Sequence, residues 1–201
     1  KAYFIKEYFA NYSLYMSDVT FDMKKNKTIV HHKRAEPWTI TLVDTGSDSM
    51  TGGRLKRVSE FIKNEEAFCF TYGDGVGDND IKASIAFHKS HGKKATITTS
   101  YPPGRFGALK IEDEKVLSFK EKPKGDGSRV NAGFFVLSPD VLDLIEDDYT
   151  IWEQDPLNRL VDEGQLMAFQ HEGFWKPMDT LADKNILQEM WEGGKAPWKV
   201  W

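Results

Sequence analysis

Asp74 in "FTYGDGV" and Asp179 in "KPMDT" stand where apolar runs give way to polar residues. Two carboxylates in one crevice can share a Mg2+ ion, a hard cation that takes oxygen ligands and keeps phosphate oxygens in its shell. Their plainer use is local, with Asp74 capping a turn and Asp179 or Thr180 capping the last helix. "MTGGR" at 50–54 sets Gly52 and Gly53 at a helix start, where backbone can approach a ligand and the N-terminus favours anions. Two glycines there also make an ordinary loop. "EKPK" at 121–124 offers Glu121 to sugar hydroxyls and Lys122 to a phosphate, or is a solvated charged turn. "PPGRFG" at 102–107 is a rigid loop whose Gly107 leaves a backbone amide for a ligand. His31 and His32 are adjacent, so on a strand they point to opposite faces and do not suit one metal. His88 and His91 read as surface residues of a helix. The chain has no Ser/His/Asp order, Cys–His pair or zinc spacing.

These residues need elements to position them. "EAFCFTYG" reads as a short buried strand and "KKATITTSY" as another. Between them, "DNDIKASIAFHKSHG" reads as a helix capped by Asp78 or Asp80 and stopped by Gly92. That is a βαβ unit of a parallel sheet, and it sets Asp74 in the crevice beyond the carboxyl end of its strand. Upstream, "KAYFIKEYFANY" is an amphipathic helix with Phe4, Ile5, Tyr8, Phe9 and Tyr12 on one side. Short strands follow around Lys25-Asn26-Lys27, and "TITLVDTG" is a further strand. "TGGRLKRVSEFIK" is helical, with Leu55, Val58 and Phe61 or Ile62 inward.

Downstream, "GALKIEDEKVLSFKEKPK" is two strands around Glu112-Asp113-Glu114. "NAGFFVLSPDVLDLIED" is a strand, then a helix with Ser138 as cap and Pro139 first. "TIWEQDPLNRLVDEG" carries a capping box of Thr150 and Glu153. A strand ending near Asp179 and a last helix in "TLADKNILQEMWEGG" complete the count. The predicted fold class is α/β, a Rossmann-like, mixed but mainly parallel sheet with antiparallel additions.

One domain over 1–201 is the expectation from length. With 40% hydrophobic and 29% charged residues, the composition is that of a soluble globular protein. A net charge of −4, from 27 basic and 31 acidic residues, argues for neither a nucleic-acid partner nor a membrane surface. No apolar run approaches the roughly 20 residues of a membrane span. The only cysteine, Cys69, excludes a disulfide framework and reads as a packed core thiol in a reducing compartment, with the cytoplasm as default. The chain opens in mid-helix without an initiator Met, so an upstream segment is expected to be missing.

Taken in order, "VHHKRAEPW", "LVDTG", "SMTGGRLKRV", "FTYGDGV", "PPGRFGAL", "FKEKPKGDG", "GFFVLSPDV", "WEQDPL", "GFWKPMDT" and "GKAPWKVW" resemble the bacterial sugar-1-phosphate nucleotidyltransferases over nearly the whole chain. The branch most resembled uses CTP and α-D-glucose 1-phosphate. The resemblance implies that the sugar phosphate attacks the α-phosphorus in line, giving CDP-glucose and pyrophosphate with no covalent enzyme intermediate. It further implies a nucleotide-diphospho-sugar transferase fold, a cytoplasmic homo-oligomer, and a product that feeds dideoxysugar supply for surface polysaccharide.

Carried over by residue, the resemblance implies that Asp74 and Asp179 hold Mg2+. Gly73 and the 49–54 stretch (Ser49, Gly52, Gly53, Arg54) would contact the nucleotide. Lys122 would contact the sugar phosphate, Glu121 and Asn131 the glucose hydroxyls, and Gly107 the sugar through its backbone. Lys122, Asp74 and Asp179 then form the catalytic set. Ala132 departs mildly from an Asn-Gly-Gly pattern. The family's opening motif, a G-x-G-T-R loop followed by a lysine-proline pair, does not occur here. The 201 residues alone are therefore expected to be inactive, since that loop supplies the main transition-state cations. The alternatives are an enzyme using UTP or dTTP, a non-catalytic truncated homologue, and a generic nucleotide-binding domain in which Asp179 and Lys122 have no role.

Overall fold

The computed structural model describes residues 2–32, 34–102, 108–112, 114–120 and 128–200. The chain divides into two compact units, Lys1–Ser47 and Asp48–Trp201.

In the first unit, helix α1 (Ala2–Tyr15) precedes an antiparallel hairpin of β1 (Asp18–Asp22) and β2 (Lys27–His31), as predicted. Asn26 takes a left-handed φ of 48° in the turn, a conformation Asn tolerates. The aromatic side of α1 is present, but none of its residues is buried. Tyr12 stacks on Trp38 and donates its hydroxyl to Glu36, while Tyr3, Phe4 and Tyr15 are exposed. The strand expected in "TITLVDTG" is not formed. A strand exists through its ladder, and among the described residues no other strand pairs with it.

The second unit starts with α2 (Thr51–Arg57) and a 3-10 turn (Ser59–Phe61). Then come β3 (Phe68–Thr71), β4 (Gly75–Gly77), α3 (Ile81–His91), β5 (Ala95–Ser100) and the hairpin of β6 (Ala108–Glu112) and β7 (Lys115–Lys120). β8 (Val130–Leu137), a 3-10 helix (Pro139–Leu144), α4 (Asp155–Asp162), β9 (Leu166–Gln170), β10 (Trp175–Pro177) and α5 (Leu181–Glu192) follow.

The main sheet has the order β3-β8-β5-β9. β8 runs antiparallel to both β3 and β5, and β9 runs parallel to β5. Three strands therefore point one way, and the reversed β8 sits inside the β3–α3–β5 crossover. Asp80 caps α3 by accepting from the Ala83 amide, and Gly92 ends it at a left-handed φ of 62°, as expected. Thr180 and Asp183 form a capping box on α5, which leaves Asp179 outside the cap. One sheet face builds the core: Phe135 and Leu137 of β8 pack with Leu55, Val141, Trp152 and Leu160.

Several expectations are corrected. β3 is not buried on both faces, because strand side chains alternate. Phe68 and Phe70 turn to the core, whereas Cys69 turns the other way on an edge strand and is exposed. Ile62, rather than Phe61, packs on the core. Ser138 makes no side-chain cap, and the helix behind it is 3-10. The box of Thr150 and Glu153 does not form, because α4 begins later, with Pro156 in its first turn. The single strand predicted before Asp179 is two, β9 and β10.

His88 is not on the surface but buried against the sheet. Its Nδ1 lies 2.9 Å from Thr96 Oγ1, and His91 Nε2 lies 2.7 Å from the same oxygen. Burial, then the neighbouring His91, lowers the His88 pKa; burial, then Lys93, lowers that of His91. The unfolded chain takes up these protons at about pH 6.5, the folded chain only below that. Their contribution to stability is therefore complete above about pH 6.5 and is lost as pH falls through the folded values. Thermal melts from pH 8 to pH 5 are expected to show a falling Tm whose acid slope flattens in His88→Asn.

Candidate active site

β3 ends at Thr71, and Tyr72, Gly73 and Asp74 carry the chain past the end of the sheet. The segment does not turn back on β3. β4 pairs antiparallel with β10, Gly75 opposite Pro177 and Gly77 opposite Trp175. The Met178 amide extends the ladder by donating to the Asp74 carbonyl at 2.9 Å. Asp74 and Asp179 thus flank the same end of one two-stranded ladder, and both are exposed. The ladder is tied to the sheet by the Trp175 indole, which donates to the Ala132 carbonyl at 2.8 Å.

β8 runs against β3 and β5, so its first residues lie at the carboxyl ends of those strands. This sets Asn131 at the same end of the sheet as Gly73 and Asp74. Asn131 Oδ1 accepts from the Gly133 amide at 2.8 Å. Gly133 has a φ of 77°, and a Cβ there would lie 2.7 Å from the Tyr72 ring, so only glycine fits. Gly73, Asp74 and Asn131 therefore lie at one end of the main sheet, and Asp74 and Asp179 at one end of the β4–β10 ladder. Gly107, Glu121 and Lys122 lie outside the described residues.

The nucleotide stretch has a different logic. The Gly52 and Gly53 amides both donate to the Thr150 carbonyl, at 3.0 and 3.2 Å, and the Met50 amide donates to Asp148 O. A Cβ on Gly53 would lie 2.2 Å from Asp148 O, and one on Gly52 would lie 2.7 Å from Thr150 O. The glycine pair thus lets the first turn of α2 press against the backbone of residues 148–150. Arg54 Nε donates to the carbonyl of the buried Ser49 at 2.9 Å.

Sequence reading missed what joins these two groups. Thr51 Oγ1 donates to Glu153 Oε2 at 2.6 Å, and the Tyr72 hydroxyl donates to Glu153 Oε1. Burial, then the hydrogen bond to Glu153, pushes the Tyr72 phenol well above its usual range. The available signal was Pro156: proline in a first helical turn places the helix start at Asp155, which excludes Glu153 from a capping box.

Mg2+ is commonly held by one or two carboxylates together with substrate phosphates, keeping waters in its remaining positions. Two exposed carboxylates at one ladder end fit that need. Among the described residues no cluster of three or more His, Cys, Asp or Glu could hold a metal by itself. The chemistry suited to this arrangement is positioning and charge neutralisation of phosphate groups.

The nucleotidyl transferase family model matches residues 23–183. A glucose-1-phosphate cytidylyltransferase of Salmonella typhi is 67% identical over 201 residues, covering 100% of this chain and 78% of that protein. Among solved structures, a UDP-glucose pyrophosphorylase complexed with UDP-glucose aligns with a TM-score of 0.55 at 12% identity, over 76% of this chain and 65% of that one. HddC from Yersinia pseudotuberculosis aligns with a TM-score of 0.55 at 22% identity, over 72% and 64%. The chain spans under two thirds of either solved chain, and at such identity these two likenesses concern the fold. The chain belongs to the nucleotidyl transferase family.

Proposed function

We propose that the protein joins CTP to α-D-glucose 1-phosphate, releasing CDP-glucose and pyrophosphate. The observation that carries the reading is the β4–β10 ladder, which brings Asp74 and Asp179 to one end. The 67% identity to the Salmonella enzyme supports the choice of substrates.

Asp74 and Asp179 would hold Mg2+, which when bound neutralises charge on the phosphate oxygens. The chain's own residues then align two anions that repel each other. Ser49, Arg54 and Gly73 hold the nucleotide, Gly52 and Gly53, buried against the backbone of residues 148–150, shape that stretch instead of lying against the base as the resemblance implied, Asn131 and Glu121 orient the glucose hydroxyls, and Lys122 offsets the charge of the attacking phosphate. No side chain serves as a nucleophile, since the sugar phosphate attacks directly and pyrophosphate leaves in line.

Exposed aromatics on α1 support a homo-oligomer that covers them. No described helix is long and apolar enough to cross a membrane, and a cytoplasmic setting with a product for polysaccharide sugar supply completes the proposal.

The test is pyrophosphate release by the full-length protein with glucose 1-phosphate and CTP, UTP or dTTP. A site that hydrogen-bonds the cytosine amino edge is expected to favour CTP by at least about a hundredfold in kcat/KM. Preference for UTP or dTTP would move the reading to those enzymes, and no turnover with any of the three would leave the binding-module alternative.

A further inference from the structure

We infer that Thr51, Glu153 and Tyr72 are positioning residues that couple the nucleotide-binding stretch to the sugar-binding Asn131; the inference rests on the reaction proposed above. The Tyr72 hydroxyl donates to Glu153, and the Tyr72 amide donates to the Gly133 carbonyl at 3.2 Å, while the Gly133 amide donates to Asn131 Oδ1 at 2.8 Å. The second Glu153 oxygen accepts from Thr51, and Thr51 Oγ1 in turn accepts from the Trp152 amide at 2.9 Å. The half-buried side chains of Thr51, Glu153 and Tyr72, continued by the Gly133 peptide, thus form one hydrogen-bonded path from the first residue of α2 to Asn131.

Both ends of the path are anchored in packed structure. Trp152 is fully buried, and the Tyr72 ring lies edge-on to Phe70 and Phe135 and against Gly133. The next two residues after Tyr72 are Gly73 and Asp74. Hydrogen bonds to an ionised group are the stronger kind, and side chains in one network respond as a unit rather than singly. In-line transfer depends on the alignment of two separately bound anions, so a path that fixes one binding element against the other acts on rate through geometry.

The experiment is a double-mutant cycle in the full-length protein with CTP and glucose 1-phosphate. Tyr72→Phe and Thr51→Val are each expected to lower kcat/KM by roughly tenfold or more while the melting curve stays near that of the parent. The double variant is expected to lose about as much as the worse single one, because either change already breaks the path. Thr51→Ser is expected to recover most of what Thr51→Val loses, which separates the hydroxyl from mere packing. Should Thr51→Val not fold, Glu153→Gln paired with Tyr72→Phe gives the same cycle. Losses that multiply, or a Tyr72→Phe enzyme within twofold of the parent, would overturn the inference with the reaction intact. A parent protein that makes no CDP-glucose would instead overturn the reaction, and the coupling with it.

Discussion

Asp74→Asn and Asp179→Asn in the full-length protein are each expected to lower kcat by roughly 10²–10³-fold or more, the scale on which removing one preorganised charge contact acts. The amide keeps the size of the carboxylate and removes its charge, so the change falls on cation binding. Both residues are exposed at the end of the β4–β10 ladder, so the melting curve is expected to shift little. The nearby Asp183 is already committed. The Lys176 ammonium at 2.6 Å and the Thr180 hydroxyl pull its carboxyl down to about 2. It is therefore not a spare ligand that rescues Asp179→Asn. Turnover measured across a Mg2+ titration checks the prediction, with a higher Mg2+ requirement accompanying the lost rate. Turnover within fivefold of the parent at unchanged Mg2+ dependence would favour a nucleotide-binding domain with unrelated chemistry.

The placement of Asp74 was legible because an apolar run, a Gly-Asp-Gly break and a capped helix together fix a crossover, whatever the packing. Its pairing with Asp179 was not. The ladder that joins them rests on Gly75, Val76 and Gly77, three residues with no periodicity to read, opposite a strand a hundred positions away in sequence. The α5 cap was legible in part: Thr180 was one of two candidates, and the Asp183 that completes its box lies only three residues on. Thr150 and Glu153 have the same local pattern, yet Glu153 bonds Thr51, 102 residues distant. A carboxylate serves a backbone amide or a remote hydroxyl equally well, and only tertiary structure decides. His88 and Cys69 were exchanged for a similar reason. Alternation along β3 is visible in sequence, but which face α3 covers, and how far it reaches, is not.

The glycine pair at the head of α2 makes the second large effect. Gly53→Ala is expected to destabilise the fold by about 3 kcal/mol, at the upper end for overpacking. The new Cβ would lie 2.2 Å from Asp148 O and 2.6 Å from its Cα and carbonyl carbon. Those neighbours are backbone, so no side chain can swing aside. The same backbone accepts the Met50 amide, and shifting it would also strain the Gly52 and Gly53 bonds to Thr150 O. That figure is net of alanine's better helix propensity, which returns only about 1 kcal/mol. For a domain of this size the net change lowers Tm by roughly 6–12 °C. Gly73→Ala is the matched control, because nothing lies within 4 Å of its added Cβ. Its melt is expected to match the parent, while CTP binding weakens if a ligand uses that open space. Calorimetric melts of both variants, with CTP titrations of the second, separate a glycine required by packing from one required by a ligand. Matching melts for the two would mean that the 148–150 backbone gives way, so that α2 is not held in place by the contact on which Thr51 and Glu153 depend.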